Sequence, residues 1–493
     1  MESPQTNVPT PARAPWIAFA LVVATALALT LLFRATGPSD DDFIVQRYAR
    51  NLLDGRGLVF DDGARVEGFT CPLWLFVLAG VMAVGGVAAA VGPWIGAAAV
   101  LASALIALAR APFAGRAPAV AAAFAIAASA ALAHHAALGL GTTLAGFLVL
   151  AWYVATERAE RVGGSHVLAG VFLGLATLLR PETAGFALPW LVLLPRERRL
   201  GALVAFAMWS GAWLVFRLAY YGEWLPMTYY AKKLPLADDL GYGFDYLARA
   251  TLDTGFVVLL ALAAFARATG RALRAHSATA ALVGAGVTTA IVTWAGGDYL
   301  PLARFLVPAL PVVLVLACDA LHAMLPVARV PALAAVALVG AWPCVNLDQY
   351  RGTHAFYEER WIAIGEMLRA RFPADTRVAT APIGAIGFHS RLPIVDLLGL
   401  TNSAIRNAKP DLAITMKGHH RYDADWVLAQ QPDLLVLGNG VVLPGERTLR
   451  VSAWEESLVR HPRFAAEYEP LVLSVPGSYD LFAFRRKAWS GAR

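Results

Sequence analysis

Carboxylates of the kind that transfer protons follow the first apolar segment of the chain. Residues 16–33 carry no charge, and Asp40, Asp41 and Asp42 come seven positions later. A carboxylate can take the proton from a hydroxyl group, and ionisable groups at the edge of a membrane span are costly and usually functional. The alternative is a polar loop in which an aspartate caps the next helix. The sequence alone leaves both interpretations open.

Cations and turn-forming glycines complete the same loop. Arg47 and Arg50 lie three positions apart and would share one face of a helix. Guanidinium groups bind phosphate through paired hydrogen bonds, so both are candidates for a donor phosphate. Arg65 and Glu67 follow among the glycines as candidates for acceptor contacts or for shaping the loop. The alternative is an amphipathic helix whose basic residues lie near lipid headgroups.

Three later segments, 180–182, 220–233 and 294–308, carry similar residue types. Each segment has a purely structural interpretation. The first can be a helix that stops at a proline and carries an ion pair, and the second can be an aromatic belt with lysines near the headgroups. The aspartate of the third can be a helix cap. The functional alternative is sugar stacking and phosphate binding. The candidate residues for it are Arg180, Glu182, Tyr230, Lys232, Asp298 and Arg304.

Composition defines the elements that must position these residues. With 58% hydrophobic and 15% charged residues and a mean hydropathy of +0.56, the chain is predicted to be a polytopic α-helical membrane protein. The net charge of +6 lies mostly in short loops, where the positive-inside rule explains it, so nucleic acid is not an expected partner. No Walker A, Gly-x-Gly-x-x-Gly or His-Glu-x-x-His motif is present, which disfavours a cytoplasmic nucleotide as donor.

About eleven transmembrane helices are predicted from the apolar windows. These windows are 16–35, 72–110, 117–133, 138–156, 166–180, 183–195, 200–220, 252–268, 278–295, 302–322 and 328–343. Lys and Arg cluster in alternate loops, which assigns those loops to the cytoplasm. The loops assigned to the outer face are 40–70, 134–142, 180–183, 220–251 and 296–303. The first apolar run is long and ends in an arginine, which favours an uncleaved first helix over a signal peptide.

Three regions are expected along the chain. Residues 1–15 are rich in Pro, Thr and Ala and are predicted to be a disordered tail. Residues 16–343 form the transmembrane domain, with its first outer loop at 36–71. Residues 344–493 carry more charge and short β-like runs (377–380, 393–397, 433–437 and 471–474), which predicts a soluble α/β domain on the outer side.

The first loop, DDDFIVQRYARNLLDGRGLVFDDGARVEGFT, resembles that of GT-C glycosyltransferases of the mycobacterial terminal β-(1→2) arabinofuranosyltransferase type. The stretches LLRPET, YYGEWLPMTYYAK, GGDYLPLARFLVP and IGAIGFHSRLPIVDLLGLTN resemble the same family in the same order, from about 38 to 426. Spacing to Arg47 aligns the family's aspartate pair with Asp40 and Asp41. The chain departs from the pattern at Gly141 and Ala64, where the family has Glu, and at Met227, where it has Asn.

The resemblance implies a transmembrane GT-C catalytic domain in the plasma membrane. The enzyme would move a sugar, D-arabinofuranose or another pentose, from a polyprenyl-phosphate donor to a glycan or glycoconjugate on the outer face. Asp41 would be the general base, and Asp40 would orient it, hold a metal or stabilise positive charge. If anomeric configuration is retained, one aspartate would instead be the nucleophile. A divalent cation such as Mg²⁺, Mn²⁺ or Ca²⁺ is compatible with these residues, although no ligand spacing requires it.

Two alternatives remain from the sequence. One is a transporter or flippase that carries a lipid-linked sugar without cleaving it, although no inverted repeat is visible. The other is a GT-C transferase that uses a different sugar on protein or on lipid A. In each case the partners are the lipid bilayer and a lipid-linked sugar.

Overall fold

The chain is mostly helical, as its composition predicts. The computed structural model describes residues 14–34, 37–61, 63, 65–325, 327, 329–437, 451–477 and 480–491. The α-helices before the C-terminal region are Ala14–Phe33, Asp40–Leu53, Pro72–Ala83, Ala88–Ala109, Ala111–Ala114, Arg116–Ala127, Ala130–Ala137, Thr142–Val162, Val167–Leu179, Ala187–Leu193, Arg196–Tyr221, Met227–Lys232, Leu236–Thr254, Phe256–Ala268, His276–Trp294, Leu310–Met324 and Arg329–Ala341. Short 3-10 helices occur at Pro181–Phe186, Val307–Ala309 and Trp342–Asn346.

By length and composition, five helices of the described part could cross a membrane, or up to seven if each of two bent pairs forms one span. The five are Trp16–Phe33, Ala88–Ala109, Arg196–Tyr221, His276–Trp294 and Val307–Met324. Shorter apolar helices occur at Pro72–Ala83, Val167–Leu179 and Val330–Asn346. The window 72–110, which is too long for one helix, contains two, and other windows are divided where the sequence prediction assumed one helix; for example, the break after Ala127 falls inside the window 117–133. The count of eleven spans therefore stays a prediction.

Glycines mark the breaks between helices. Gly255 has φ +66° and separates Leu236–Thr254 from Phe256–Ala268, where the chain turns by 84°. Glycine adopts positive φ at no steric cost, so it allows this sharp turn. The Leu236–Thr254 helix therefore runs at a steep angle to the apolar helix that follows it.

The Asp40–Leu53 helix belongs to the protein interior rather than to a lipid surface. Ser39 precedes it in an extended conformation, and three carboxylates occupy its first turn, where the helix dipole favours negative charge. Nine of its side chains are buried, including that of Arg47. The alternative of an interfacial helix with basic residues near headgroups is therefore wrong for this segment.

The C-terminal region contains a mixed sheet. Its described strands are β1 Val378–Thr380, β2 Ile394–Asp396, β3 Leu434–Val436, β4 Tyr468–Leu473 and β5 Leu481–Arg486, in the order β2-β1-β3-β5-β4. β1 pairs in parallel with β2 and β3, whereas β5 pairs antiparallel with β3 and β4. The helices of this region are Leu347–Arg371, Ile383–Ser390, Ala424–Ala429, Ala453–Val459 and Pro462–Glu467, with a 3-10 turn at Ile405–Asn407.

Three of the β-like runs of the sequence contain β1, β2 and β3, whereas the run 471–474 overlaps only the end of β4. The region boundaries at 15, 343 and 493 stay predictions. Most of the expected tail (residues 1–13) and part of the expected C-terminal domain (residues 438–450, 478–479 and 492–493) lie outside the described residues.

Candidate active site

A cavity of about 340 Å³ lies where the five loops predicted to share one face come together. Each of these loops supplies at least one lining residue, and the C-terminal region adds Leu400. The polar and charged lining residues include Asp41, Thr228, Tyr229, Arg180, Glu182, Lys232, Lys233 and Arg304. The apolar lining includes Ile44, Val45, Phe69, Leu140, Leu225, Trp294 and Phe305. The grouping of loops by charge therefore predicted which segments meet.

Asp41 faces this cavity and is held by Arg304. Its Oδ2 accepts a hydrogen bond from Nη1 of Arg304 at 2.8 Å, and Nε of Arg304 lies 2.5 Å from Oδ2 of Asp298. The Asp41 side chain is 27% exposed, whereas Arg304 and Asp298 are buried. Burial acts to raise the pKa of Asp41, but the Arg304 guanidinium and then the Lys232 ammonium outweigh it, so the pKa lies below the ordinary 3.8. Asp41 is therefore an ionised carboxylate at neutral pH.

The turn that carries Arg304 is strained. Leu302 and Ala303 have φ of 57° and 58°, the left-handed region that costs a non-glycine residue about 1–2 kcal/mol. His135 Nε2 lies 3.2 Å from the carbonyl oxygen of Leu302, and the Tyr246 hydroxyl accepts a backbone N–H just after the turn at 2.8 Å. Such strain persists where surrounding contacts over-determine the backbone, typically at functional sites. These contacts fix the direction of the Arg304 side chain.

Asp40 faces a different part of the molecule. Its carboxylate accepts the backbone N–H groups of Gly384 and Ala385, at 3.1 and 2.7 Å, at the start of the Ile383–Ser390 helix. Burial raises the pKa of Asp40 to about 7, and the two amides oppose that rise. Asp40 does not line the cavity. Its geometry fits a residue that docks the C-terminal region, so the catalytic role expected from the resemblance has no support in its position.

Arg47 and Arg50 also contact the C-terminal region instead of the cavity. Arg47 forms an ion pair with Asp61, and Arg50 donates to the carbonyl oxygen of Phe388 at 2.7 Å while its guanidinium lies 3.5 Å from the ring centroid. Arg47 also donates, at 2.8, 2.6 and 2.8 Å, to the carbonyl oxygens of Phe60, Gly387 and Leu392. Because these donors are engaged away from the cavity, the positions of Arg47 and Arg50 give no support to their expected role in binding the donor phosphate.

Glu67 and Arg65 anchor the first loop to the Arg196–Tyr221 helix. Glu67 is buried, pairs with Arg217, and accepts from Trp213 Nε1 at 3.1 Å. The guanidinium of Arg65 lies 4.6 Å from the ring centroid of Tyr220. Both residues shape the loop, and neither lines the cavity. Of the two roles left open by the sequence, the structure therefore favours shaping the loop over contacting the acceptor.

Tyr229 rather than Tyr230 lines the cavity. The Tyr230 ring lies 4.7 Å from the guanidinium carbon of Arg406 in the C-terminal region. Adjacent residues on a helix point about 100° apart, so only one of the two tyrosines can face the cavity. The predicted stacking residue is thus displaced by one position.

The Arg180–Glu182 pair lies at the cavity as a formed ion pair. Nη2 of Arg180 is 2.7 Å from Oε1 of Glu182, and its guanidinium carbon lies 4.7 Å from the centroid of the Phe305 ring. The structural interpretation (an ion pair) and the functional interpretation (residues of the site) are therefore compatible, because the two residues of the ion pair also line the cavity. Within the described chain, Glu182 and Asp41 are the carboxylates that line the cavity.

The loop 417–420 (Lys-Gly-His-His) of the C-terminal region approaches the cavity lysines without having been singled out by the sequence patterns. Gly418 has φ +95°, and a Cβ there would come within 3.2 Å of the Lys232 side chain. Burial lowers the pKa of His419 to about 4, and the Lys232 ammonium acts in the same direction, so this imidazole is neutral at pH 7. The sequence signal that could have pointed here was a Gly-His-His tripeptide at the end of the family resemblance.

A second buried carboxylate connects this loop to the membrane part. Asp239 is completely buried, with one oxygen 2.7 Å from Nζ of Lys233 and the other paired with Lys417. Lys233 in turn lies 4.5 Å from the ring centroid of Trp294, which lines the cavity. Two cations thus share one carboxylate beside the cavity.

The positions that depart from the family pattern have structural explanations where they are described. Gly141 has φ +69°, and a Cβ there would lie 2.9 Å from the Trp74 ring, so a glutamate does not fit this backbone. Trp74 Nε1 instead donates to Asp42 at 3.1 Å. Met227 is buried, and its N–H donates to the carbonyl oxygen of Glu67 at 2.9 Å. Ala64 lies outside the described residues.

In the described ranges, no three His, Cys, Asp or Glu side chains are grouped so that they could hold a metal ion. Asp40 and Asp41 in particular have separate partners and do not converge on one point. The divalent cation stays a prediction of the resemblance.

Comparison with known proteins adds sequence relatives for the chain. A family model described as a domain of unknown function (DUF8728) matches residues 347–487. The terminal β-(1→2)-arabinofuranosyltransferase of Mycobacterium tuberculosis is 27% identical over 228 residues, which are 39% of this chain and 34% of that protein. The protein of the same name from Corynebacterium glutamicum is 30% identical over 262 residues, 46% of this chain and 38% of that protein. The chain thus spans little more than a third of the length of these curated relatives.

Solved structures establish the fold. ArnT from Cupriavidus metallidurans bound to undecaprenyl phosphate superposes with a TM-score of 0.64 at 13% identity, covering 98% of this chain and 100% of that one. The oligosaccharyltransferase of Archaeoglobus fulgidus, in complex with zinc and sulfate, gives 0.55 at 14% identity over 94% and 72% of the two chains. The chain therefore has the fold of the GT-C glycosyltransferases, and in sequence it resembles the terminal β-(1→2)-arabinofuranosyltransferases.

Proposed function

We propose that this protein is a membrane glycosyltransferase that uses a sugar on a polyprenyl phosphate as donor. The sugar is a pentofuranose, D-arabinofuranose, and the acceptor is a hydroxyl group of a glycan or glycoconjugate on the outer face of the plasma membrane. One observation carries the proposal: the ionised carboxylate of Asp41 and the ammonium of Lys232 line the same cavity. A base for the acceptor and a cation for the donor phosphate are the two groups that this reaction requires.

The charges of the cavity fit an anionic ligand. Four cations line it, namely Arg180, Lys232, Lys233 and Arg304. Three of them pair with carboxylates. Within the described residues, Lys232 alone among the four has no carboxylate partner. Its ammonium is therefore available for the donor phosphate, which carries one negative charge as a phosphodiester.

The rim of the cavity fits a lipid-linked donor. Leu225 and Trp294 line the cavity and are also 41% and 46% exposed. Apolar side chains on both the inside and the outside of an opening let a prenyl chain run from the cavity to the bilayer. The ArnT structure of similar fold holds undecaprenyl phosphate, a ligand of this class.

In the proposed reaction, the acceptor hydroxyl oxygen bonds to the anomeric carbon of the sugar. The bond from that carbon to the phosphate oxygen breaks, and its electron pair stays on the phosphate. The hydroxyl proton passes to Asp41, which Arg304 keeps ionised and oriented. Phosphate leaves with negative charge, so it needs nearby cations more than a proton. Inversion of the anomeric centre follows if the hydroxyl attacks directly.

The test is a transfer assay on purified protein with decaprenyl-phosphoryl arabinofuranose carrying a labelled sugar, and membrane glycans as acceptors. Asp41→Asn should abolish the label in glycan, while Asp245→Asn serves as the matched control, because Asp245 is exposed on the Leu236–Thr254 helix. Release of decaprenyl phosphate without dependence on Asp41 would contradict its role as base. Saturable donor binding without turnover would favour the carrier alternative, which reconstituted vesicles would then test by following donor movement between leaflets.

A further inference from the structure

The C-terminal region places a lysine against the wall of the cavity. Lys417 pairs with Asp239 of the Leu236–Thr254 helix, and the Tyr242 hydroxyl of this helix donates to a backbone carbonyl of the loop before Lys417 at 2.9 Å. On the other side of the loop, Arg421 donates to the carbonyl oxygen of Lys233 at 2.8 Å. These contacts fix the loop on the segment that carries the cavity lysines. Lys417 itself is buried and does not line the cavity.

The charges around Asp239 do not cancel. This carboxylate is completely buried and is shared by Lys233 and Lys417, which leaves one excess positive charge. Lys232, which precedes Lys233 in the chain, adds a second positive charge, because Lys232 has no carboxylate partner within the described part of the chain. The lysine wall, defined here as Lys232, Lys233, Asp239 and Lys417, therefore has a net charge of two.

The charged group around the proposed base, which also lines the cavity, has the reverse net charge. There Arg304 lies between two carboxylates, those of Asp41 and Asp298, which leaves one excess negative charge. Arg180 and Glu182 form a neutral pair. The excess negative charge of the cavity thus belongs to the group around the proposed base, and the excess positive charge belongs to the lysine wall.

We propose that Lys417 is a positioning residue, and that the lysine wall is matched to the two charges of a phosphate monoester. This inference rests on the proposed function. The donor phosphodiester carries one negative charge, whereas the polyprenyl phosphate that is released carries nearly two at neutral pH, because its second pKa is about 6. A wall with two excess charges therefore interacts more strongly with the leaving group than with the donor. Interactions that strengthen as the reaction proceeds raise kcat rather than lower KM.

Lys417 acts through Asp239. Without it, Asp239 would neutralise Lys233 completely, and the ammonium that faces the cavity would contribute no net charge. When Lys417 is present, Asp239 shares its negative charge between Lys417 and Lys233. Lys233 therefore keeps part of its positive charge for an anionic ligand in the cavity. The C-terminal region would in this way set the charge of a cavity that it barely lines.

The experiment measures the affinity of the purified protein for undecaprenyl phosphate and for its methyl ester, a phosphodiester, at pH 8. We expect Lys417→Met to weaken binding of the monoester by about tenfold and to leave binding of the diester nearly unchanged. Lys417→Arg should behave like the wild type. In turnover, Lys417→Met should lower kcat with little change in KM.

A double variant separates charge from structure. Asp239→Asn with Lys417→Met removes one charge of each sign and leaves Lys233 unpaired, so the preference for the monoester should return. Asp239→Asn alone should increase the preference for the monoester over the diester, because it removes the one negative charge of the lysine wall. Lys417→Met is the variant at risk of misfolding, because it leaves Asp239 without one of its two partners. If it misfolds, the double variant and Asp239→Asn still test the inference.

Equal weakening of both ligands by Lys417→Met, or no recovery in the double variant, would overturn the inference while leaving the proposed function intact. A wild-type protein that binds neither lipid would overturn the proposed function, and this inference with it.

Discussion

The adjacent residues Asp40 and Asp41 should have separable roles, one structural and one chemical. Asp41 faces the cavity and pairs with Arg304, whereas Asp40 accepts two amide hydrogens of Gly384 and Ala385. Asp41→Asn keeps the size of the side chain and removes the base. Because general-base catalysis contributes roughly 10²–10⁴-fold, kcat should fall by that factor. Stability should change by about 1 kcal/mol or less, because the new amide oxygen can still accept from Arg304 and because Arg304 keeps its ion pair with Asp298.

Asp40→Ala should have the opposite profile. It leaves the two amide groups at the start of the Ile383–Ser390 helix without their acceptor. Loss of a helix-capping side chain costs about 0.5–2 kcal/mol, and an unsatisfied buried donor costs about 1–3 kcal/mol. We therefore expect a loss of about 1–3 kcal/mol in the free energy of unfolding. Turnover per folded molecule should stay close to that of the wild type, because Asp40 does not line the cavity.

The assay compares both variants with the wild type in detergent micelles. Tryptophan fluorescence gives the Tm, and initial rates of sugar transfer are measured well below the Tm of the weakest variant. Asp40→Asn is the matched control, because its side-chain oxygen can still accept one of the two amides and should recover part of the lost stability. Near-normal transfer by Asp41→Asn, or a folded but inactive Asp40→Ala protein, would refute the assignment of roles.

Three further predictions concern the backbone and the buried charge around the cavity. Ala303→Gly should relieve about 1 kcal/mol of left-handed backbone strain. It should nevertheless lower kcat, because the Arg304 side chain loses its fixed direction. The Tm should therefore rise while the transfer rate falls, and both are measured on the same preparation. Gly141→Glu should lower the Tm or prevent folding, because the new side chain meets the Trp74 ring, and a variant with wild-type Tm would show that the backbone adapts. Burial raises the pKa of Asp42 to about 7, so its contribution to stability is fully present below the ordinary 3.8 and is lost as the pH rises through about 7. Asp42→Asn should flatten the fall in Tm between about pH 4 and 7, and an unchanged slope would exclude Asp42 as its cause.

Local pattern was sufficient for the membrane-protein class, the segments of chemical interest and the resemblance to GT-C enzymes. Long apolar stretches, loop charges and short motifs are formed by residues that are neighbours in the sequence. The interactions that they predict, such as membrane insertion and loop orientation, depend on a single helix or loop. The same patterns predicted which loops meet at one cavity, since each of the five loops that the distribution of Lys and Arg assigned to one face supplies at least one of its lining residues.

Tertiary packing decided which of the candidates faces the cavity. Asp40 and Asp41 are neighbours on one helix and so point about 100° apart, one toward the C-terminal region and one into the cavity. The rotation of that helix is fixed by what packs on it, here the Ile383–Ser390 helix more than 300 residues away in sequence. The same contact engages Arg47 and Arg50, which no local pattern could exclude as phosphate ligands.

The sequence by itself determined the kind of protein and the stock of chemical groups near one membrane face. Only the tertiary structure decided that Asp41 faces the cavity, that Lys232 lines it without a carboxylate partner among the described residues, and that Lys417 joins Asp239 beside them. The physical reason is distance: electrostatic pairing depends on a few ångströms between side chains, and residues such as Lys417 and Asp239 come within that range only after the two regions of the chain have packed together.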